Sequence, residues 1–245
     1  MKVTILCALY ESGIFIESKL ESLSRLIDVD KCEVIFINCL NKDNESSKLQ
    51  RYLDLHKGWK EILLNEHVNL YKAWNIGIEA STGDYICSYN ADDQWRPDYV
   101  VKMVEYLDTH DDAIVTSGVL ITDVANQIYP SWGGIIGKIP ALPYPKSTAG
   151  PSPMWRRSLH SKYGLFGNYR VIGDARFWEK LHAGGEKFGL VTDDLVLYYA
   201  NCESLERRHD ANGVLLRVLD IEEESHSAAS TTSAGTKTSY YEEGR

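Results

Sequence analysis

Much that would place this chain quickly is missing from it. It has no CxxC pair, no Walker A sequence and no glycine-rich turn behind its first strand-like segment. The five cysteines (Cys7, Cys32, Cys39, Cys87 and Cys202) are scattered, and four of them lie in or beside apolar runs. That pattern predicts buried free thiols in a reducing cytoplasm rather than disulfides or a metal ribbon. The longest apolar run near the start, Val3 to Leu9, falls far short of the ~20 residues a spanning helix needs. Glu11 follows it with no small-residue cleavage site, so neither a transmembrane segment nor a signal peptide is expected. Basic residues are also in deficit, 26 Lys and Arg against 35 Asp and Glu, for a formal charge of −9. Proteins that bind nucleic acid cluster Lys and Arg on phosphates, so the balance argues against such a partner. A nucleotide is not excluded, because a metal ion can neutralise its phosphates. No internal repeat is present, and nothing in the sequence sets an oligomeric state.

What is present is a regular alternation of strand and helix signals. Val3–Leu9 predicts a strand and 14–26 a helix with Ile16, Leu20 and Leu23 at helical spacing. Glu33–Ile37 is a β-branched strand, followed by a helix over 47–55, a strand over 61–64 and a helix over 70–80. A strand at 85–89 and a helix at 97–107 come next, with Pro97 suited to the first turn and Asp98 to the helix dipole. Ala113–Thr122 is strand-like. The stretch 129–153 holds six of the seven prolines and predicts a long irregular loop. Order returns in "MWRRSLHSKYGLFG", the helix "GDARFWEKLHAGG" and the strand "LVLYYA". The expected fold is α/β, a mainly parallel sheet flanked by helices in one domain over 1–221. Residues 222–245, nearly free of aliphatic side chains, read as a flexible polar tail.

In such sheets ligands bind beyond the carboxyl ends of the strands. Two polar clusters fall there, 38–47 and the segment "YNADDQWRPDYV" at 89–100. Asn90, Asp92 and Asp93 stand side by side, where the two charges repel. Such acids either cap the following helix or hold a hard cation, since Mg²⁺ takes one or two carboxylates together with phosphate oxygens. A dinucleotide fold is excluded because the first turn, "ALYESGIF", has a single glycine. A phosphatase with an aspartyl nucleophile is excluded because Asn90 occupies the required position and an amide cannot attack.

Five segments, in order over roughly 1–205, resemble the family 2 glycosyltransferases, inverting enzymes of the GT-A fold. "VTILCALYESGIFIESKLESL" is similar to the family's opening strand, turn and helix, which implies nucleotide contacts at Ala8, Tyr10 and Glu11. "EVIFINCLNKDN" resembles the second strand with its acidic ending. "LYKAWNIGIEASTGDYICSYNADDQWRPDYV" resembles the Ala-x-Asn helix and the D-x-D segment. It implies donor contacts at Lys72, Asn75, Asn90, Ala91 and Asp92, and a metal held by Asp92 and Asp93. "GPSPMWRRSLHSKYGLFG" resembles the segment before the acceptor side, and "VIGDARFWEKL" the start of the catalytic helix. The resemblance implies an Mn²⁺ or Mg²⁺ cofactor, a nucleotide-diphospho-sugar donor and a saccharide or glycoconjugate acceptor. Asp174 would be the base that takes the acceptor's proton, and Trp95, Met154 and Trp155 would form the sugar platform.

The chain also departs from the pattern. Asn38 and Cys39 replace two acids that help to hold the base, although Asn38 keeps a polar group there. Asn90 replaces the first Asp of D-x-D, and Trp74 replaces an Arg for which Lys72 is the substitute at hand. Asn201 stands where many members carry His, with His209 as an alternative ligand. These departures suggest a rival, an inactive sugar- or nucleotide-binding module. Retention of Asp92 and Asp174 favours the enzyme. A nucleotidyltransferase would want a glycine- and basic-rich first turn, which "ALYESG" is not.

Overall fold

Residues Val34 to Ile37 are all fully buried, the mark of a parallel strand covered on both faces. They lie in β2 (Cys32–Cys39), which pairs in parallel with β1 (Val3–Leu9) on one side and β3 (Trp59–Leu64) on the other. β1 continues in parallel to β4 (Tyr85–Ser88). The computed structural model describes residues 3–146, 150–200, 209, 212, 214–221, 223 and 224. Its strands form one mixed, mostly parallel nine-stranded sheet in the order β3-β2-β1-β4-β8-β6-β9-β5, with β7 paired to β6. Here β5 is Gln94–Trp95, β6 Ile114–Thr122, β7 Ile135–Ile139, β8 Met154–Arg156 and β9 Phe188–Tyr199. Among the described residues no helix is long and apolar enough to cross a membrane.

Strand alternation sends one set of side chains to each face. Val3, Ile5, Cys7 and Leu9 meet α1 (Ile16–Ser24), α2 (Glu45–Leu55) and α4 (Tyr99–Thr109) in one core. Leu6, Ile35 and Ile37 meet α3 (Leu70–Ala80), α5 (Leu159–Tyr163) and α6 (Gly173–Ala183) in the other. Asn69 caps α3, its side-chain oxygen accepting the Lys72 N–H at 2.8 Å. Gly77 lets that helix lie close on the sheet, for a Cβ there would stand 2.8 Å from Leu6 and 2.9 Å from Ile37. Cys7, Cys32, Cys39 and Cys87 are buried free thiols, as the sequence suggested, while Cys202 lies outside the described residues.

Three features differ from expectation. The loop predicted over 129–153 contains β7, which pairs antiparallel with β6 and fits between the prolines at 130 and 140. β9 begins well before "LVLYYA", because parallel pairing with β6 carries it through Gly189, Asp193 and Asp194, residues of poor strand propensity. β5 spans two residues, too few to show a period. A C-terminal helix, α7 (216–221), with 223 and 224 also helical, completes the described structure. The remainder of the expected tail, 225–245, lies outside the described residues, as does Asn201.

Candidate active site

Beyond the carboxyl ends of β1, β2 and β4 lies a cavity of about 510 Å³. β1 delivers Ala8 and Tyr10 to its wall, β2 delivers Cys39, and the turn after β4 delivers Asn90, Ala91 and Asp92. The first turn of α6 brings Asp174 to the same space, which Tyr71 and Trp74 of α3 and Leu216 of α7 also line. Residues far apart in the chain, Asp92 and Asp174, therefore share one cavity.

Tyr10 is half-buried and its ring lies against His67, centroids 4.4 Å apart. Together they give the cavity lining an aromatic patch. Burial pushes the Asp92 carboxyl above the ordinary aspartate range, while the charge of Lys19 pulls it back. Asp93 is 0% exposed, does not border the cavity, and sits behind the turn. Its Oδ2 accepts from Asn90 Nδ2 at 3.0 Å, and its Oδ1 has no hydrogen-bond partner among the described residues. The carbonyl of Asp93 accepts from Lys19 Nζ at 2.5 Å. Burial pushes the Asp93 carboxyl up, and Asp92 beside it adds to the shift.

Asp174 is half-buried at the cavity wall. Its Oδ1 accepts the Tyr71 hydroxyl at 2.9 Å and the Ala175 N–H at 2.8 Å. The same Tyr71 oxygen also faces the carbonyl of Val171. Gly173 makes the contact possible, since a Cβ there would stand 2.7 Å from the Tyr71 ring. Burial raises the Asp174 carboxyl above the usual value against the pull of the Tyr71 hydroxyl, the Ala175 N–H and the Arg217 charge. A carboxylate held in place by hydrogen bonds and raised by burial is a stronger base than an exposed aspartate.

Several expected contacts are not at the cavity. Trp95, Met154 and Trp155 are 1%, 0% and 0% exposed and belong to the two cores, so they have no free face on which a sugar could stack. Trp95 is sandwiched between Tyr89 and Tyr99, each ring 3.9 Å away. Asn38 is buried in a network with Glu61 at 2.7 Å and Ser46 at 3.2 Å that shapes the turn after β2. Asn75 clamps Phe166 through both its N–H and its carbonyl, at 3.0 and 2.9 Å. Lys72 pairs with Glu66 at 3.3 Å and Glu11 with Lys42 at 3.2 Å, outside the cavity wall. Arg156 and Arg157 bind backbone carbonyls and do not point at the cavity. His209 is exposed and bridges to Leu215. His67, Tyr71 and Arg170 border the cavity without having been singled out. Tyr71 and Asp174 are 103 positions apart, and no local pattern links them.

The donor set suits a divalent cation in a limited way. Among the described residues no group of three or more His, Cys, Asp or Glu could hold a metal. Asp92 offers one hard oxygen ligand at the cavity wall, which matches an ion that draws its remaining ligands from phosphate and water. Asp93, enclosed behind the turn, would not reach it.

A sequence profile described as "Glycosyl transferase family 2" matches residues 5–163. Among curated proteins, the putative glycosyltransferase EpsH of Bacillus subtilis is 29% identical over 113 residues, 46% of this chain and 32% of that protein. An uncharacterized glycosyltransferase of Haemophilus influenzae is 29% identical over 111 residues, 44% of this chain and 33% of its own length. The matched segments thus span about a third of those relatives. Among solved structures, S. aureus TarS 1–349 in complex with UDP-GlcNAc superposes with a TM-score of 0.71 at 14% identity, over 86% of this chain and 62% of that one. The mannosyltransferase PcManGT of Pyrobaculum calidifontis, in complex with GDP-Man and Mn²⁺, gives 0.64 at 16% identity, over 97% and 76%. At such identities the likeness establishes the fold, a mixed, mostly parallel sheet between helices.

Proposed function

The chain belongs to glycosyl transferase family 2, and from that we propose that it is an inverting glycosyltransferase moving a sugar from a nucleotide-diphospho-sugar to an acceptor hydroxyl on a saccharide or glycoconjugate. The observation that carries this reading is the shared cavity, whose lining includes both Asp92 and Asp174. The aromatic patch of Tyr10 and His67 suits a nucleobase. Asp92 would hold Mn²⁺ or Mg²⁺, which when bound supplies positive charge to a departing diphosphate. Asn90 has its amide turned to Asp93 and keeps the turn in place.

Asp174 takes the proton from the attacking hydroxyl, with Tyr71 and the Ala175 N–H fixing the carboxylate as it does so. A single displacement inverts the anomeric centre, whereas a covalent glycosyl intermediate would retain it. Val68, Leu70, Val171 and Leu216 give the cavity an apolar part to its wall. Binding to UDP-GlcNAc by TarS and to GDP-Man by PcManGT supports a nucleotide-sugar donor for this chain and leaves its base open.

The test is a thermal-shift panel of nucleoside diphosphates with Mn²⁺, followed by mass detection of transferred sugar. A ligand at ~100 times its dissociation constant stabilises the fold by roughly 2.7 kcal/mol. Nucleotide binding without transfer to any acceptor in a saccharide panel would instead support the binding module.

A further inference from the structure

Asp220 is 2% exposed, and its carboxylate gathers three successive backbone N–H groups. Arg170 N lies 2.9 and 3.0 Å from its two oxygens, Val171 N 2.8 Å and Ile172 N 3.2 Å from Oδ2. The Arg170 guanidinium adds a fifth contact at 3.3 Å. Ile172 is the N-cap of α6, and Asp174 lies in the first turn of that helix. Helix α7 thus places a buried anion at the positive end of the helix that bears Asp174. The same segment sets Leu216 in the cavity wall and Arg217 close enough for its charge to act on Asp174. On the other side of the loop Glu224 accepts from Arg176 Nε at 2.9 Å and from Tyr169 at 2.5 Å.

We propose that Asp220 is a positioning residue that fixes the 170–172 backbone and, through it, the place of Asp174 in the cavity. The inference rests on the reading of Asp174 as the base. Local sequence cannot set this loop. Its anchor arrives from 48 residues further along the chain, and Gly173 brings no side chain of its own. Without the carboxylate, three N–H groups lose their shared acceptor. A buried N–H does not stay unpaired, so the backbone shifts until water or another acceptor reaches it. Asp174 is two residues from the end of that shift. A displacement of about 1 Å at a reacting group costs as much as ~10²-fold in rate.

The experiment is a ¹³C-carboxyl NMR titration of Asp174 in the full chain, with amide exchange of 170–172 read on the same samples. Asp220→Ala is expected to lose protection at those amides by ~10-fold or more. Its Asp174 titration moves down toward that of an ordinary aspartate as water enters beside Tyr71 and Arg217. Asp220→Asn keeps one acceptor oxygen and falls between Ala and wild type. Glu223→Gln, which changes the exposed partner of the same arginine, leaves the titration in place. A folded Asp220→Ala whose Asp174 titrates as in wild type overturns the proposal, because a role in stability alone lowers the melting temperature without moving Asp174. If Asp220→Ala does not fold, Asp220→Asn is judged by the same criterion. Failure of the base assignment shows separately, as unimpaired turnover of Asp174→Asn while the titration shift in Asp220→Ala persists.

Discussion

Lys19 Nζ lies 2.5 Å from the carbonyl of Asp93 and 3.0 Å over the centroid of the Tyr89 ring, all three groups being fully buried. Burial pushes the lysine pKa down and the Asp93 pKa up, while the opposite charges partly restore each other. Removing one member leaves the other uncompensated. Lys19→Met strips the Asp93 carbonyl of its buried donor and is therefore expected to destabilise by roughly 1–3 kcal/mol. The Coulombic part, which involves the Asp93 carboxyl, is what adding Asp93→Asn offsets. Urea unfolding of the two single variants and the double variant measures the coupling, and simple additivity would remove it.

Asp174→Asn keeps the size of the side chain and much of its hydrogen bonding but cannot take a proton. It should bind nucleoside diphosphate as wild type does and lose transfer by ~10²- to 10⁴-fold. Calorimetry beside turnover separates the two effects. Wild-type turnover in this variant would place the base elsewhere.

The base must be ionised to act, so activity is lost as pH falls through the Asp174 pKa. Burial sets that limb above an ordinary aspartate's value. The Tyr71 hydroxyl favours the charged form, so its removal raises the pKa further. Tyr71→Phe is expected to shift the acid limb of kcat/KM upward. A limb that stays put or moves down would separate Tyr71 from the titrating group.

Chelation with EDTA should abolish transfer, and Asp92→Asn should weaken nucleoside-diphosphate binding in the presence of Mn²⁺ while changing it little without metal. Full activity in EDTA would remove the cation from the reaction.

A chain ended after Glu224 keeps every described contact of α7 and should melt with the full-length protein. One ended after Leu219 loses Asp220 and leaves three backbone N–H groups without their acceptor, which should lower the melting temperature by several degrees. Equal melting of the two would show that Asp220 and the residues up to Glu224 add nothing to stability.

The first half of the fold is plain in the sequence because each element carries its own period. Val3–Leu9 and Leu70–Ala80 are found with the expected bounds. The second half is less legible for a physical reason. β7 and the start of β9 are strands by virtue of their partner β6, and side chains such as Gly189 and Asp194 do not advertise that pairing. At the site, the acidic turn stands out as a short local pattern, whereas the opening of α6 is marked only by its resemblance to the family. Trp95 and Trp155 misled, since an indole beside a polar turn looks like a sugar platform whether it faces the cavity or, as here, the core. Asp220 and Tyr71 act across 48 and 103 positions, where local sequence carries no signal.

The Tyr71 oxygen faces two acceptors, the carbonyl of Val171 and Oδ1 of Asp174, and a phenol has one hydrogen to share between them. The hydroxyl is thus a rotor with two stops. With Asp174 ionised, its hydrogen turns to the carboxylate and Val171 goes without. Once Asp174 has taken up a proton on Oδ1, that proton can point to the phenol oxygen while the phenol turns to Val171, and both acceptors are served. The proton neutralises the carboxylate, and the phenol answers it by the turning of one O–H bond.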